Sequence, residues 1–354
     1  MFQRILIANR GEIAVRIARA CRELGVETVS VYSQADADAL HVQLATRAVC
    51  IGPAKAADSY LNADALLTVA KETGCDAVHP GYGFLSESAE FSDQCAQLGL
   101  RFIGPSGDVI RMMGNKSAAR DLMKKHHVPV VPGSDGAVDT ADEAREIAGE
   151  IGYPVLVKAS AGGGGRGMRR VDSPEEMESK FQQARSEALA CFGERAALCG
   201  KAYPQPQTHR VHRCWPSRHG NVIHLGERDC SIQRRNQKLM EESPSKALSE
   251  ELRTAMGQAA VRAAQAAGYQ SAGTVEFVLD HDGNFYFIEM NTRIQVEHPV
   301  TEFVTGLDLI REQIRVAAGL SLSVRQEDVR QNGWALECRI NAEEPHPGLP
   351  AGPR

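Results

Sequence analysis

The chain has 354 residues, 43% of them hydrophobic and 24% charged, and a formal net charge of -5. That length supports two or three domains with cores of their own. The slightly acidic, mixed-charge composition excludes a broad basic surface of the kind that binds nucleic acid or a membrane face. No run of 18 apolar residues occurs, and the start, MFQRILIANRG, reads as a strand and a glycine turn rather than a signal core. Nine cysteines, at 21, 50, 75, 95, 191, 199, 214, 230 and 338, fall in no CxxC or His-linked spacing. They read as small buried hydrophobes and reduced thiols, and the expected location is the cytoplasm.

From Arg4 to about Met113, short Val/Ile-rich strands alternate with helical stretches: RILIAN, an amphipathic segment from Glu12 to Leu24, ETVSVYS, AVCIG, a helix near Ala63 to Glu72, and CDAVH. The alternation predicts an α/β domain built on a doubly wound parallel sheet. Ligands of such sheets sit beyond the carboxyl ends of the strands. Two glycine-rich turns fall there, NRGE after the first strand and HPGYGFLSE, His79 to Glu87, after CDAVH. Neither is a GxGxxG, so a dinucleotide site is a weak reading, and both turns read equally as plain loops.

A second unit runs from about Val130 to Cys191. It has a helix from Ala141 to Glu150, the strand YPVLVKAS, the loop AGGGGRGM, a strand near Arg169 and a helix from Pro174 to Leu189. The exposed amides of Gly162 to Gly165 suit phosphate oxygens, and Lys158 precedes them in an otherwise apolar strand; the loop lacks the GK[ST] ending of a Walker loop. A flexible hairpin is the other reading of four glycines.

The third unit has a helix from Ser249 to Ala267, the run TVEFVLDHDGNFYFIEMN, and a helix from Asp308 to Gly319. A two-residue type I′ turn at Asp282 and Gly283 predicts a hairpin that pairs Val275 with Met290, Phe277 with Ile288 and Leu279 with Tyr286 on an apolar face. On the other face it pairs Thr274 with Asn291, Glu276 with Glu289 and Val278 with Phe287. Like charges directly opposed destabilise a sheet. Either both carboxylates splay into water, or a hard cation between them turns repulsion into coordination, and Mg²⁺ suits one or two carboxylates plus phosphate. Arg293, Gln295, Glu297 and His298 follow within nine residues of Glu289. A strand lysine, a glycine flap and a carboxylate pair are together the parts that a nucleoside triphosphate needs.

ANRGEIA, HPGYGFLSE, MGNKSAAR, VKASAGGGGRGM, GERDCSIQRRNQK, GTVEFV, FYFIEMNTRIQVEHPVTE and ECRINAE occur in this order. They resemble the biotin carboxylase family of ATP-grasp enzymes over most of the chain. The resemblance implies an α/β ATP-grasp fold preceded by the doubly wound parallel-sheet domain. Its divisions would be an N-terminal domain at 1–114, an ATP-grasp unit at 115–330 with its lid at about 130–203 and core at about 204–330, and the start of a truncated C-terminal domain at 331–354.

The activity implied is ATP-driven conversion of bicarbonate to carboxyphosphate, then carboxylation of biotin on a carrier, the first half-reaction of an acyl-CoA carboxylase. Lys116 and Lys158 would hold ATP phosphates beneath a flap of Gly163, Gly164 and Gly165, with Gln233 at a nucleotide-contacting position. Glu276, Glu289 and Asn291 would bind Mg²⁺ or Mn²⁺. Lys238, Arg293, Gln295 and Val296 would cradle bicarbonate, Glu297 would deprotonate it as general base, and Arg339 would hold biotin. Arg293 would also stabilise charge developing on the ureido oxygen. The implied partners are a biotin carboxyl carrier protein or domain, a carboxyltransferase subunit and, in an intact form, a second copy of the chain.

The chain departs from the family pattern at 198–216, LCGKAYPQPQTHRVHRCWP, where an adenine-binding hinge and an alternating strand are expected. The stretch shows no strand alternation. It reads as a divergent loop or as a slipped frame, since codons for Leu198 to His212 read one nucleotide later can encode YVEKLIPNPRHIEF. The final HPGLPAGPR has the same character. Low stability and little activity are therefore expected of the chain as written. The rival readings are another ATP-grasp carboxylating or amidating ligase and a non-catalytic product.

Overall fold

The computed structural model describes residues 1–159, 168–192, 197–203, 207–214, 221–234 and 237–340. In the N-terminal part, β1 (Arg4–Ile7), α1 (Gly11–Glu23), β2 (Glu27–Tyr32), α2 (Leu40–Leu44), β3 (Arg47–Cys50), α3 (Ala63–Glu72), β4 (Ala77–His79), α4 (Ala89–Gln97) and β5 (Arg101–Phe102) alternate as the sequence predicts. They form a five-stranded parallel sheet in the order β3-β2-β1-β4-β5. One face packs Ile5 and Ile7 against Ile13 and Ile17 of α1, the other packs Leu6, Val29 and Val31 against Leu66 and Phe91, as a sheet buried on both faces requires.

The two glycine turns meet at the carboxyl ends of β1 and β4. Asn9 Nδ2 donates to the carbonyls of Pro80 at 2.7 Å and Tyr82 at 2.8 Å, knitting the turns together. Gly81 has φ +63°, and a Cβ there would stand 3.0 Å from Asn9 and 3.1 Å from Ile13, so close approach and backbone both call for glycine.

Helices α5 (Gly107–Gly114) and α6 (Lys116–Lys125) lead to α7 (Ala141–Ile151), followed by β6 (Val155–Ala159), β7 (Met168–Val171), α8 (Met177–Phe192) and β8 (Ala197–Lys201). These last strands make a three-stranded antiparallel sheet, β7-β6-β8, over a small core of Val155, Val157, Phe181 and Ala144.

The remainder comprises β9 (Gln207–Cys214), β10 (Ile223–Asp229), β11 (Gln233–Arg234), β12 (Gln237–Lys238), β13 (Met240–Ser243), α9 (Glu250–Ala267), β14 (Gly273–Leu279), β15 (Phe285–Asn291), α10 (His298–Thr305), α11 (Leu309–Ala317) and β16 (Ala335–Cys338). A six-stranded sheet runs β15-β14-β9-β10-β13-β16. Helix α9 begins at Ser249, whose side chain accepts from Leu252 N–H, and stops at Gly268 in the left-handed region. Its alanine face lies close against Val275, Phe277 and Met290 of the hairpin.

Two expectations are corrected. The stretch from 198 to 216 contributes the end of β8 and all of β9, which pairs with β14 on one side and β10 on the other. Two strands with open edges recruit a backbone whatever its side-chain pattern, because ladder bonds use only main-chain groups. The hairpin turn is also one residue longer than predicted. Asp280 Oδ1 accepts from the N–H groups of Asp282 at 3.0 Å and Asn284 at 2.8 Å, and Asp280 N–H bonds to the carbonyl of Asn284. A three-residue loop closes with Gly283 at φ +84°. A bulge then absorbs the extra residue, so Phe277 faces Phe287 rather than Ile288, Val278 faces Tyr286 and Leu279 faces Phe285. Beyond the bulge Val275 faces Met290, Thr274 faces Asn291 and Glu276 faces Glu289, as expected.

Among the described residues no helix is long and apolar enough to cross a membrane.

Candidate active site

The carboxylate pair anchors one end of a continuous polar chain. Glu276 is 5% exposed; its Oε1 accepts from Asn291 Nδ2 at 2.8 Å, and Lys238 Nζ lies 4.0 Å from its Oε2. Asn291 Oδ1 in turn accepts from Arg293 Nη2 at 3.3 Å, and Arg293 Nε donates to Glu87 Oε2 at 2.8 Å. Glu87 belongs to the HPGYGFLSE turn and also accepts from Thr292 N–H and Oγ1. The hairpin and the N-terminal sheet are thereby joined through the site.

Among the described residues no cluster of three or more His, Cys, Asp or Glu side chains is placed to hold a metal. Two opposed carboxylates and one amide instead fit a cation that arrives with part of its coordination already supplied by phosphate oxygens, which is how Mg²⁺ is commonly held.

Lys116 and Lys158 lie near Glu289 of the same pair. Asn115 caps α6 by accepting from Ala118 N–H, which puts Lys116 at the first helical position. A cation is disfavoured there by the helix dipole, so this placement serves something other than helix stability. Burial pulls its ammonium below the usual lysine range while the nearby Glu289 opposes the shift. Lys158 is pushed down to about 8, by burial first and then by the charge of Lys116, again opposed by Glu289. Two partly desolvated ammonium groups beside a carboxylate call for anionic oxygen. Gly163, Gly164 and Gly165 lie outside the described residues. Gln233 donates from Nε2 to the Cys230 carbonyl at 2.8 Å.

The other end is built on the segment between β15 and α10. Glu297 holds the N-cap position of α10 but makes no capping bond with its side chain. It is 2% exposed, and its Oε2 accepts from Arg339 Nη2 at 2.6 Å. Arg228, wholly buried on β10, places Nη2 3.9 Å from Glu297 Oε1 and 2.6 Å from Gln295 Oε1. Gln295 is 2% exposed and gives its oxygen to Arg228, whereas Val296 is exposed. A carboxylate with no capping duty, beside a half-exposed arginine and an amide, can act as a proton acceptor at the mouth of the site.

Of the residues expected at the site, Glu276, Glu289, Asn291, Lys238 and Arg293 gather with Lys116 and Lys158, and Gln295, Glu297 and Arg339 gather around Arg228. Sequence reasoning assigned no role to Glu87, Arg228, Glu241 or Thr301. The available signals were Glu87 closing HPGYGFLSE and Arg228 within the motif GERDCSIQRRNQK; nothing in the sequence marks Glu241 or Thr301.

Residues 1–110 match the family model for the biotin carboxylase N-terminal domain, and residues 115–325 match the ATP binding domain of the carbamoyl-phosphate synthase L chain. Biotin carboxylase 1 of Bacillus subtilis is 58% identical over 346 residues, spanning 98% of this chain and 77% of that protein. Among solved structures, the biotin carboxylase domain dimer of Hydrogenobacter thermophilus 2-oxoglutarate carboxylase, in complex with MgADP, ADP and bicarbonate, superposes with a TM-score of 0.92 at 52% identity, over 98% of this chain and 76% of that one. The Campylobacter jejuni biotin carboxylase in a β-γ-ATP complex gives 0.94 at 48% identity, over 99% and 78%.

Proposed function

The chain belongs to the biotin carboxylase family of ATP-dependent ligases, and from that premise we propose that it catalyses the first half-reaction of an acyl-CoA carboxylase. ATP and bicarbonate give carboxyphosphate and ADP. Carboxyphosphate, a mixed anhydride, breaks down to carbon dioxide and phosphate; the phosphate takes the N1–H proton of biotin, carried on a separate protein or domain, and N1 bonds to the carbon dioxide. ATP, Mg²⁺ and bicarbonate are the small molecules this family uses.

Lys116 and Lys158 draw the β- and γ-phosphates inward and offset their charge. Glu276, Glu289 and Asn291 would hold Mg²⁺, which supplies Lewis-acid neutralisation of the phosphate oxygens when bound. Lys238, Arg293 and the Gln295 amide orient bicarbonate for in-line attack on the γ-phosphorus. Glu297 takes the bicarbonate proton, and Arg293 or Arg339 offsets charge on the ureido oxygen as N1 becomes a nucleophile. The division into domains at 1–114, 115–330 and 331 onward, with a carrier, a carboxyltransferase and a second copy as partners and a cytoplasmic location, belongs to the same reading. The free cysteines among the described residues support a reducing compartment.

The observation that carries this reading is the meeting of two desolvated lysines with Glu289, the strand partner of Glu276. Its test is ADP release by the purified chain, slow in the chain as written, expected only with bicarbonate and accelerated by free biotin, together with transfer of labelled carbonate to a biotinylated carrier. Nucleotide turnover driven instead by ammonia or by an aminoimidazole would establish another ATP-grasp ligase.

A further inference from the structure

Among the described residues Arg228 leads the wholly buried side chains by volume, ahead of Tyr60 and Tyr269. Desolvating a guanidinium is costly, and a hydrophobic residue of similar volume would serve stability at least as well, so its retention calls for a function. Its fork reaches side chains of β13 and of the stretch from Gln295 to Thr301. Nε donates to Glu241 Oε2 on β13 at 3.1 Å, Nη1 to Thr301 Oγ1 on α10 at 3.0 Å, and Nη2 to Gln295 Oε1 at 2.6 Å. The same Nη2 stands 3.9 Å from Glu297 Oε1.

Three of these partners lie within the seven residues from Gln295 to Thr301, where the chain leaves β15 and enters α10 with no strand to hold it. Within that segment His298 Nδ1 also meets the Gln295 carbonyl at 2.8 Å.

The chemistry of the fork adds direction. Arginine has donors only, so the Gln295 amide is fixed with its oxygen turned to Arg228, and its NH₂ becomes the end offered to a substrate. An anion such as bicarbonate needs that donor. Glu297 has its Oε2 on Arg339 and its Oε1 facing Arg228, so the second oxygen is held in register with the glutamine. The other charged groups packed around this cluster are Glu337, across from Glu241 on β16, and Arg339 just beyond it. Burial, and then the charge of Glu241, push the Glu337 carboxyl above its ordinary range.

We propose that Arg228 is a positioning residue for the carboxylation chemistry, its guanidinium fixing the Gln295 amide with its donors toward bicarbonate and the Glu297 carboxylate beside it. The inference rests on the reading of Gln295 and Glu297 given above.

Three variants of the whole chain test it. Arg228→Met with Glu241→Gln removes the buried charge pair together, so that neither partner is left unpaired. Arg228→Lys keeps the charge without the planar fork. Glu241→Gln alone is isosteric and lets the fork tilt. The double variant is expected to melt close to the parent and to bind MgADP unchanged, while its KM for bicarbonate rises and its kcat falls by about tenfold or more each. Arg228→Lys and Glu241→Gln should show the same split between nucleotide and bicarbonate, to a smaller degree.

Crystal structures of the parent and the double variant supply a readout independent of turnover, with the Gln295 amide and Glu297 carboxylate expected to leave their places. Parental kinetics in the double variant, or both side chains unmoved, would overturn the proposal. A parent chain without bicarbonate-dependent turnover would count against the proposed function instead, and the crystallographic comparison would then decide the role of Arg228.

Discussion

Arg339 Nη2 and Glu297 Oε2 stand 2.6 Å apart, so the residue assigned to biotin is bonded to the residue assigned to proton abstraction. With its Oε2 held by Arg339, Glu297 has one oxygen fewer to offer to a bicarbonate proton. Biotin competing for Arg339 would release it, which links ATP consumption to the presence of the acceptor. Arg339→Met is expected to lose the stimulation of ATP turnover by free biotin, lowering the ratio of stimulated to basal rate about tenfold or more. The check is ADP release with and without biotin; an unchanged ratio would show that Arg339 has no part in the coupling.

The opposed carboxylates make a second prediction. Directly paired like charges weaken a sheet, and Asn291 together with Lys238 at 4.0 Å offsets the charge of Glu276. With Mg²⁺ and nucleotide, Glu289→Gln should lose most of the thermal shift that the parent shows. Turnover should fall about tenfold or more. Chelation with EDTA should remove the nucleotide-induced shift from the parent.

Burial, and then the charge of Lys116, push Lys158 down to about 8, and burial lowers Lys116 in the same direction. Incoming phosphate favours the charged form and returns both toward ordinary lysine values. Binding of ADP at pH 8 should therefore take up protons, about half a proton from Lys158 alone, and uptake should vanish near pH 6.5, where both groups are already protonated. Calorimetry in buffers of different ionisation enthalpy reads this directly. Proton release at pH 8 would contradict the placement of these lysines on phosphate.

His79 and His298 are buried and held neutral, down to about 3 and about 4, mainly by desolvation, with Arg16 adding its positive charge to both. Gly81 N–H donates to His79 Nδ1 at 3.1 Å. In the unfolded chain both rings take a proton near 6.5, so below that pH the unfolded state binds more protons and stability falls with acidification. The loss should run from about pH 6.5 down to about pH 4, and His79→Gln should reduce the proton uptake on unfolding by about one. Melting curves from pH 7 to 4.5 measure the slope.

Glu87 supports Arg293 from the N-terminal domain through the 2.8 Å contact to its Nε. Glu87→Gln keeps the shape and one acceptor but removes the charge that aligns the guanidinium. The expected result is a rise of about tenfold in the KM for bicarbonate with MgADP affinity unchanged. Parental kinetics would mean that Arg293 is aligned without Glu87.

The alternation of strands and helices, the two glycine turns and the facing of Glu276 with Glu289 were all legible in the sequence, because each depends on residues near one another in the chain. A period of two along a strand fixes which side chains share a face, and the inner half of the hairpin kept its register although the turn gained a residue and a bulge removed the surplus. The motifs that placed Lys116, Lys158, Arg293, Glu297 and Arg339 are local in the same sense.

Tertiary structure decided the rest. Strand β9 forms from a stretch without alternation because β10 and β14 flank it with backbone groups that must be paired. The cluster of Arg228 with Glu241, Gln295, Glu297, Thr301 and Arg339 gathers residues from two strands, a helix and the segments beyond them. No spacing in one dimension records such a meeting, since a buried guanidinium selects its acceptors by distance and direction after the sheet has closed around it.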